Sequence, residues 1–418
     1  MRRPFLLNLC NWRFSNPNSC RHASTLIVKS DFTSFFFHNE QWTIAPSRKT
    51  IFLDVPSFRR NTCAVPIENL KSTARSLDRY QETEVLTPRR LLRLYAQLSK
   101  SRLTALIVLT AMSGFALSPL PATVPILLST AVGTALCSAS ANTFNQLQEV
   151  PYDAQMTRTS MRPLVRRAVS PMHAAVFGAV TGVAGPVILW TIVNHTTAVL
   201  GAANIALYAG LYTWLKRKHV VNTWVGAVVG GLPPLMGWTA CGGQLFSSSG
   251  QPFFLPQFLS PVPTIPFDLS LIDNTLAPLA LFMLSFSWQF PHFNSLSHLV
   301  RGSYAQAGYQ MLSVLSPSHN SLVALRHAIL LVPICSILIP LSGLTTWTFA
   351  LTSLVPNVIC TRAAWRFWRG GGEKEAKIMF QHSLWYLPVV MALMMVHKQG
   401  MDWAKWIGLK SEDEAGDS

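Results

Sequence analysis

The sequence predicts an all-α polytopic membrane protein, a bundle of nine transmembrane helices, on three observations. Half of its 418 residues are hydrophobic and only 12% are charged, against about 25% in a typical soluble domain. Apolar runs near the roughly twenty residues needed to cross a bilayer recur from Leu103 onward. Lys and Arg gather on alternate connections between those runs, the pattern that membrane topology imposes.

The first thirty residues hold Arg2, Arg3, Arg13, Arg21 and Lys29 with several Ser and Asn and no acid, the composition of a mitochondrial transit peptide. Residues 31–88 are proline-punctuated without a sustained apolar period and are expected to form a flexible arm. The membrane domain is expected over 89–400, with spans near 103–119, 123–145, 171–190, 196–214, 222–240, 275–293, 323–343, 346–364 and 381–397. An acidic tail, 401–418, closes the chain.

Charge asymmetry orients the bundle. Arg89, Arg90, Arg93, Lys100 and Arg102 precede the first span; Arg158, Arg162, Arg166 and Arg167 follow the second; Lys216, Arg217 and Lys218 follow the fourth. The sixth and eighth spans are likewise followed by cations, whereas the connections after the first, third, fifth and seventh carry no Lys or Arg. The N-terminus and the basic loops therefore share one side, the matrix side if the membrane is the mitochondrial inner one. Cations distributed this way, rather than on one basic domain, exclude nucleic acid as the reason for the net charge of +16. Seven cysteines without a CxxC pair give neither a zinc site nor a disulfide framework. The absence of repeats and of midspan charges argues against a transporter.

Chemistry concentrates after the second span. Asn145, Glu149 and Asp153 are four apart and would form one polar stripe on a continuing helix. Pro151 is expected to end or kink that helix near Glu149, making the stripe a helix end plus its first loop turn. Three oxygen-bearing side chains aimed into one space suit a hard divalent cation such as Mg²⁺, and the arginines that follow suit phosphate oxygens. A diphosphate substrate fits both halves. A second basic loop runs Tyr212-Thr-Trp-Leu-Lys216-Arg217-Lys218-His219-Val-Val-Asn222, and a third places Gln289, His292 and Asn294 at the end of an otherwise apolar run, ahead of Arg301 and Tyr304. Each charge or His taken singly fits an interfacial residue as well as a ligand; their grouping on same-side loops is what favours a site.

The Asn-x3-acid-x3-Asp string with Met-x-Arg-Thr-x-x-Arg-Pro-Leu, then Tyr-Thr-x-Leu-Lys-Arg with the Gly226–Trp238 run, then Trp-Gln-x-Pro-His-Phe, resembles the protohaem IX farnesyltransferase (haem O synthase) family of UbiA-type prenyltransferases over roughly residues 90–400. The resemblance implies a nine-helix bundle of the UbiA type that transfers farnesyl from farnesyl diphosphate to a vinyl group of haem b with addition of water, for haem A synthesis. It implies Mg²⁺ on Asn145, Glu149 and Asp153, and a catalytic set completed by Arg158, Lys216 and Arg217. Arg162, Tyr212, Asn222, His292, Asn294, Arg301 and Tyr304 would contact substrate, with His292 and Asn294 toward haem. The partners expected are the lipid bilayer and the downstream haem A synthase. Two departures stand out: Glu149 occupies a position where many relatives have Asp, and Gly302-Ser303 replace the usual acidic pair before Tyr304, which shifts diphosphate binding toward Lys216, Arg217 and Arg301. Same-fold transfer to an aromatic acid and a non-catalytic assembly role are the rival readings.

Overall fold

The computed structural model describes residues 87–120, 123–246, 254–256 and 275–401. The expected transit peptide, the arm up to residue 86 and the acidic tail beyond residue 401 lie outside the described residues.

Helix α1 (Pro88–Leu98) begins with Thr87, whose hydroxyl accepts from the Arg90 amide, and with proline in its first turn, where no amide donor is needed. It buries only Leu94 and Leu98. Lys100 then adopts a left-handed conformation, φ 48°, and α2 (Ser101–Leu117) leaves at 59° to α1. There follow α3 (Val124–Asp153), α4 (Pro171–Val193), α5 (His195–Leu215), α6 (Asn222–Ala240) and α7 (Leu276–Leu299). Two short helices, α8 (Arg301–Gln306) and α9 (Leu312–Leu315), lead to α10 (Pro317–Leu341), and α11 (Thr348–Thr352), α12 (Leu354–Gly370) and α13 (Glu373–Val396) complete the order.

Among the described residues the long helices follow the expected spans in order, and no strand interrupts them. Five of them, α3, α4, α5, α10 and α13, are long and apolar enough to cross a membrane by length and composition, and six if the bent pair α1–α2 is one span. The expected nine is not reached on that measure; α12, for one, has 17 residues and carries Arg362, Arg366 and Arg369.

Pro151 does not end α3. The helix continues through it to Asp153. A proline in the last turn removes a single amide donor, and the carbonyl of Val150 just before it is still taken by the Ala154 amide at 3.1 Å. Asn145, Glu149 and Asp153 therefore do share one helical face, and all three are buried.

Helix α3 packs along α4, α2 along α6, and α7 contacts α6, α10 and α13. The α2–α6 seam is backbone-close: a Cβ on Gly237 would collide with the Ala111 carbonyl, and one on Gly114 with the Pro234 carbonyl. Small residues permit such approach where lipid supplies no hydrophobic drive between helices. Polar side chains of α3 stitch the α1–α2 break. Gln146 Nε2 donates to the carbonyls of Gln97 and Leu98 at 3.1 and 2.8 Å, and Asn142 Nδ2 to that of Ser99 at 3.2 Å, satisfying the open end of α1. At the opposite end of the bundle Lys398 donates to the carbonyls of Ala116 and Ser118, both at 2.8 Å, tying the chain after α13 to the C-terminus of α2.

Candidate diphosphate and metal site

The C-terminal turns of α3, the end of α5, the α1–α2 break and the segment 154–170 converge on one cluster of opposed charges. Lys216 Nζ lies 2.7 Å from Glu149 Oε1, and Arg162 Nη1 lies 3.5 Å from Glu149 Oε2 and closer still to Asp153 Oδ2. The two carboxylate side chains are only 5% and 1% exposed. Charges so withdrawn from water persist only when paired. Burial, the largest single influence, would depress the Lys216 ammonium, but Glu149 together with Tyr212, Tyr208 and Tyr309 outweighs it and holds it well above the ordinary lysine range. Arg162 is raised likewise, burial being outweighed by Asp153 and then Glu149.

Lys100 completes the cluster from the other side. Its ammonium donates to Asn145 Oδ1 at 2.9 Å and reaches the Tyr208 hydroxyl at 3.5 Å, while Asn145 Nδ2 donates to Thr213 Oγ1 at 3.0 Å. The left-handed turn at Lys100, held by Gln146 and Asn142, is what brings this ammonium inward. Helix α5 supplies the aromatic wall. Its segment Ala206–Tyr212 is a π-helix, in which Tyr208 and Tyr212 stack at 5.3 Å, and Lys216 sits 4.8 Å over the Tyr212 ring. Short π segments frequently mark functional positions. Tyr309 closes the space, 5.8 Å beneath Lys216; its hydroxyl is buried without a hydrogen-bond partner, and burial pushes its pKa above the tyrosine range.

The structure thus brings together Asn145, Glu149, Asp153, Arg162, Lys216 and Tyr212 of the residues named from sequence. Tyr304 stands behind Tyr309, edge-on at 5.8 Å. Arg217 is one layer out, donating to the Tyr152 hydroxyl at 2.5 Å. Arg158 is exposed and makes no contact with the cluster among the described residues. Asn222 ties two loops, donating to the carbonyls of His219 and Gln310 at 2.7 and 3.1 Å. Arg301 turns toward His298 Nε2 at 2.5 Å and Glu373 at 3.9 Å, away from Glu149. His292 and Asn294 diverge on α7. His292 Nδ1 meets Ser383 Oγ at 2.9 Å, with the ring stacked 4.8 Å from Trp288. Asn294 and Asn320 each donate to the other's backbone carbonyl, at 3.0 and 2.9 Å, in a fully buried pair.

Lys100, Tyr208 and Tyr309 are the members that sequence reasoning missed. Lys100 reads as one more topology cation, Tyr208 lies inside an apolar run, and Tyr309 is far from the motif it faces.

The donor set suits a hard divalent cation. Two carboxylates and an amide oxygen share one helix face, and Asp153 Oδ1 is buried with no hydrogen-bond partner, an acceptor left for a ligand. No cluster of three or more His, Cys, Asp or Glu exists among the described residues. Two carboxylates with water and phosphate oxygens completing the shell is how Mg²⁺ is commonly held at phosphate sites.

Comparison with known proteins bears on the family and the fold. A family model for the UbiA prenyltransferase family matches residues 107–385. The chain is 42% identical over 334 residues to a Yarrowia lipolytica protein named protoheme IX farnesyltransferase, mitochondrial, covering 77% of this chain and 64% of that one. It is 42% identical over 304 residues to the Homo sapiens protein of the same name, covering 73% and 62%, and 37% identical over 373 residues to that of Debaryomyces hansenii, covering 85% and 74%. The chain thus spans less than two thirds of the length of the Yarrowia and human relatives. Among solved structures, a digeranylgeranylglyceryl phosphate synthase superposes with a TM-score of 0.56 at 15% identity, over 73% of this chain and 98% of that one. An apo UbiA homologue from Aeropyrum pernix K1 gives 0.51 at 16%, over 71% and 97%. These two likenesses show the fold, and the family match with the identity to these relatives shows that the chain belongs to the UbiA prenyltransferase family.

Proposed function

We propose that the chain is a mitochondrial inner-membrane haem O synthase. It would transfer the farnesyl group of farnesyl diphosphate to a vinyl group of protohaem IX, with water adding across the vinyl, to give haem O and diphosphate for haem A synthesis. The observation that carries the reading is the buried cluster in which Glu149 and Asp153 are held by Lys216 and Arg162 while Asp153 Oδ1 stays open. Its relatives at 42% identity carry that enzyme's name.

Asn145, Glu149 and Asp153 would hold Mg²⁺, which when bound neutralises charge on the diphosphate. Lys216 and Arg162, now spent on the carboxylates, would turn to the diphosphate oxygens, with Lys100 reaching them from the α1–α2 break. Three cations around the leaving group stabilise the charge that develops as the allylic C–O bond breaks. The vinyl carbon forms the new C–C bond, water delivers hydroxide to the other vinyl carbon, and its proton is released. Tyr208, Tyr212 and Tyr309 wall this space, and the water they exclude cannot quench the allylic cation early. Arg217, Arg158, Asn222, Arg301 and Tyr304 belong to the surrounding loops on the same side, and the charge asymmetry supports the matrix as that side. His292 is assigned to haem; Asn294 serves the α7–α10 contact instead. The downstream haem A synthase is the expected recipient of product.

The test is to incubate membranes containing the protein with haem b, farnesyl diphosphate and Mg²⁺ and to look for haem O by mass spectrometry, with an aromatic acid as a parallel acceptor. Haem O is expected and prenylated aromatic acid is not; no haem O where a known synthase succeeds would sink the reading.

A further inference from the structure

Helix α12 carries a surface that the transferase chemistry leaves unused. Its buried face, Cys360, Ala363, Ala364 and Phe367, packs into the bundle. Its outward face is a single stripe at helical spacing: Val355 and Val358, 64% and 60% exposed, then Arg362, Arg366 and Arg369. The stripe is therefore apolar at one end and cationic at the other, over about 21 Å of helix. Arg362 lies about 12 Å below the end of α12, deeper than a topology signal at a loop requires.

Across the Gly370–Gly372 turn, Lys374 and Lys377 on the first turns of α13 face outward as well. Among the described residues only Glu373 and Glu375 stand near these five cations in sequence; Glu373 reaches Arg301 at 3.9 Å, and Glu375, folded back against Gly370 and Gly372, lines one side of the cavity that the cations share, leaving it net positive. Among the described residues none of the five cations makes an ion pair or hydrogen bond within the chain. Trp365, 50% exposed, stands beside Arg366, Arg369 and Lys374 around a surface cavity of about 410 Å³. A Trp at this level is the amphipathic residue of a membrane–water interface.

We propose that this face is a binding site for an anionic phospholipid, with the headgroup phosphate in the cavity between Arg366, Arg369 and Lys374 and an acyl chain laid along Val358 and Val355. Basic pockets between helices at a membrane surface take such headgroups. A soluble phosphate fills only the cationic half of the stripe, and an acidic protein has no use for the apolar half; an amphiphile matches both. The site is independent of the catalytic cluster, since α12 and the first turn of α13 contribute none of its residues.

The full chain, purified in neutral detergent, would be mixed with diphosphatidylglycerol or phosphatidylcholine and its retained lipid counted by native mass spectrometry. Wild-type protein is expected to keep diphosphatidylglycerol in preference to phosphatidylcholine. The triple variant Arg366→Gln, Arg369→Gln, Lys374→Gln should lose about a hundredfold in apparent affinity, at roughly a factor of five per cation. A control with Arg89, Arg102 and Lys218 changed to Gln, cations of the same side but another surface, should keep the wild-type value. Millimolar inorganic phosphate should not displace the lipid; full displacement would assign the site to a free phosphate and overturn the lipid proposal. Equal retention by wild type and the α12–α13 triple, or equal loss in the control, would also overturn it. Circular dichroism of the triple, together with a Lys-for-Arg version that keeps the charge and should keep the lipid, separates loss of the site from loss of fold.

Discussion

Replacing Lys216 with methionine removes one charge from the buried cluster and leaves its neighbours in place. At 2.7 Å, the Lys216–Glu149 attraction is ~6 kcal/mol at an effective dielectric of about 20, most of it offset by the desolvation of both ions. Deleting one partner of such a pair strands the other, which costs about 3–5 kcal/mol of stability. Glu149 retains Arg162 at 3.5 Å, so the lower end of that range is expected in a thermal unfolding midpoint measured in detergent. The effect on turnover has a different origin. Losing one cation from the leaving group should lower kcat about 10²–10³-fold, while the divalent-metal concentration needed for half-maximal rate should stay level or fall, because Glu149 is freed of a competitor. The assay is haem O formation against Mg²⁺ concentration for wild type and Lys216→Met. A variant with unchanged kcat and a much higher metal requirement would refute the assignment of Lys216 to the diphosphate. Nor should the wild-type pair be sensitive to pH in the ordinary working range. The Lys216 pKa is raised on folding, so its contribution is complete below the unfolded value near 10.4 and is lost only as pH climbs through the higher folded value.

Asp153→Ala should abolish haem O formation and weaken binding of Mn²⁺, read by its electron paramagnetic signal, while the protein still inserts; retained turnover would remove Asp153 from the metal site. Gly237→Ala drives a methyl into the Ala111 carbonyl across the α2–α6 seam and should cost upward of about 2 kcal/mol, seen as early unfolding in detergent. Asn294→Ala removes the side-chain donor to the Asn320 carbonyl inside the α7–α10 contact, while Asn320 Nδ2 keeps the Asn294 backbone carbonyl. It should therefore lower stability by about 1–3 kcal/mol with little change in KM for haem, whereas His292→Ala should change that KM with a smaller stability loss.

The order of the helices was legible because lipid requires long apolar runs, and the sidedness because loop cations record it. Glu149, Asp153, Arg162 and Lys216 were legible because the acids end one apolar run and the bases crowd two same-side connections. What escaped depended on contacts distant in sequence. Lys100 belongs to the site only because Gln146 and Asn142, more than forty residues on, pin the break that turns it inward. The partnership of Asn294 with Asn320 likewise has no local signature. Pro151 misled for a different reason: the rule that proline ends a helix weighs a full set of hydrogen bonds, and in a final turn only one is at stake.

The wide turn at Ala206–Tyr212 also bears on how α5 tolerates change in length. A π segment absorbs roughly one residue more per turn than the helix around it, an offset of about 100°. Everything after it, Thr213 and Lys216 included, is clocked by that surplus. Shortening 206–212 by a single residue would let the segment close to an ordinary α-helix with Lys216 still facing Glu149, whereas taking one residue from the ordinary turn after it would leave every apolar residue of the span intact yet rotate Lys216 by about 100° off Glu149. In this stretch the count of residues governs the site as firmly as their identity.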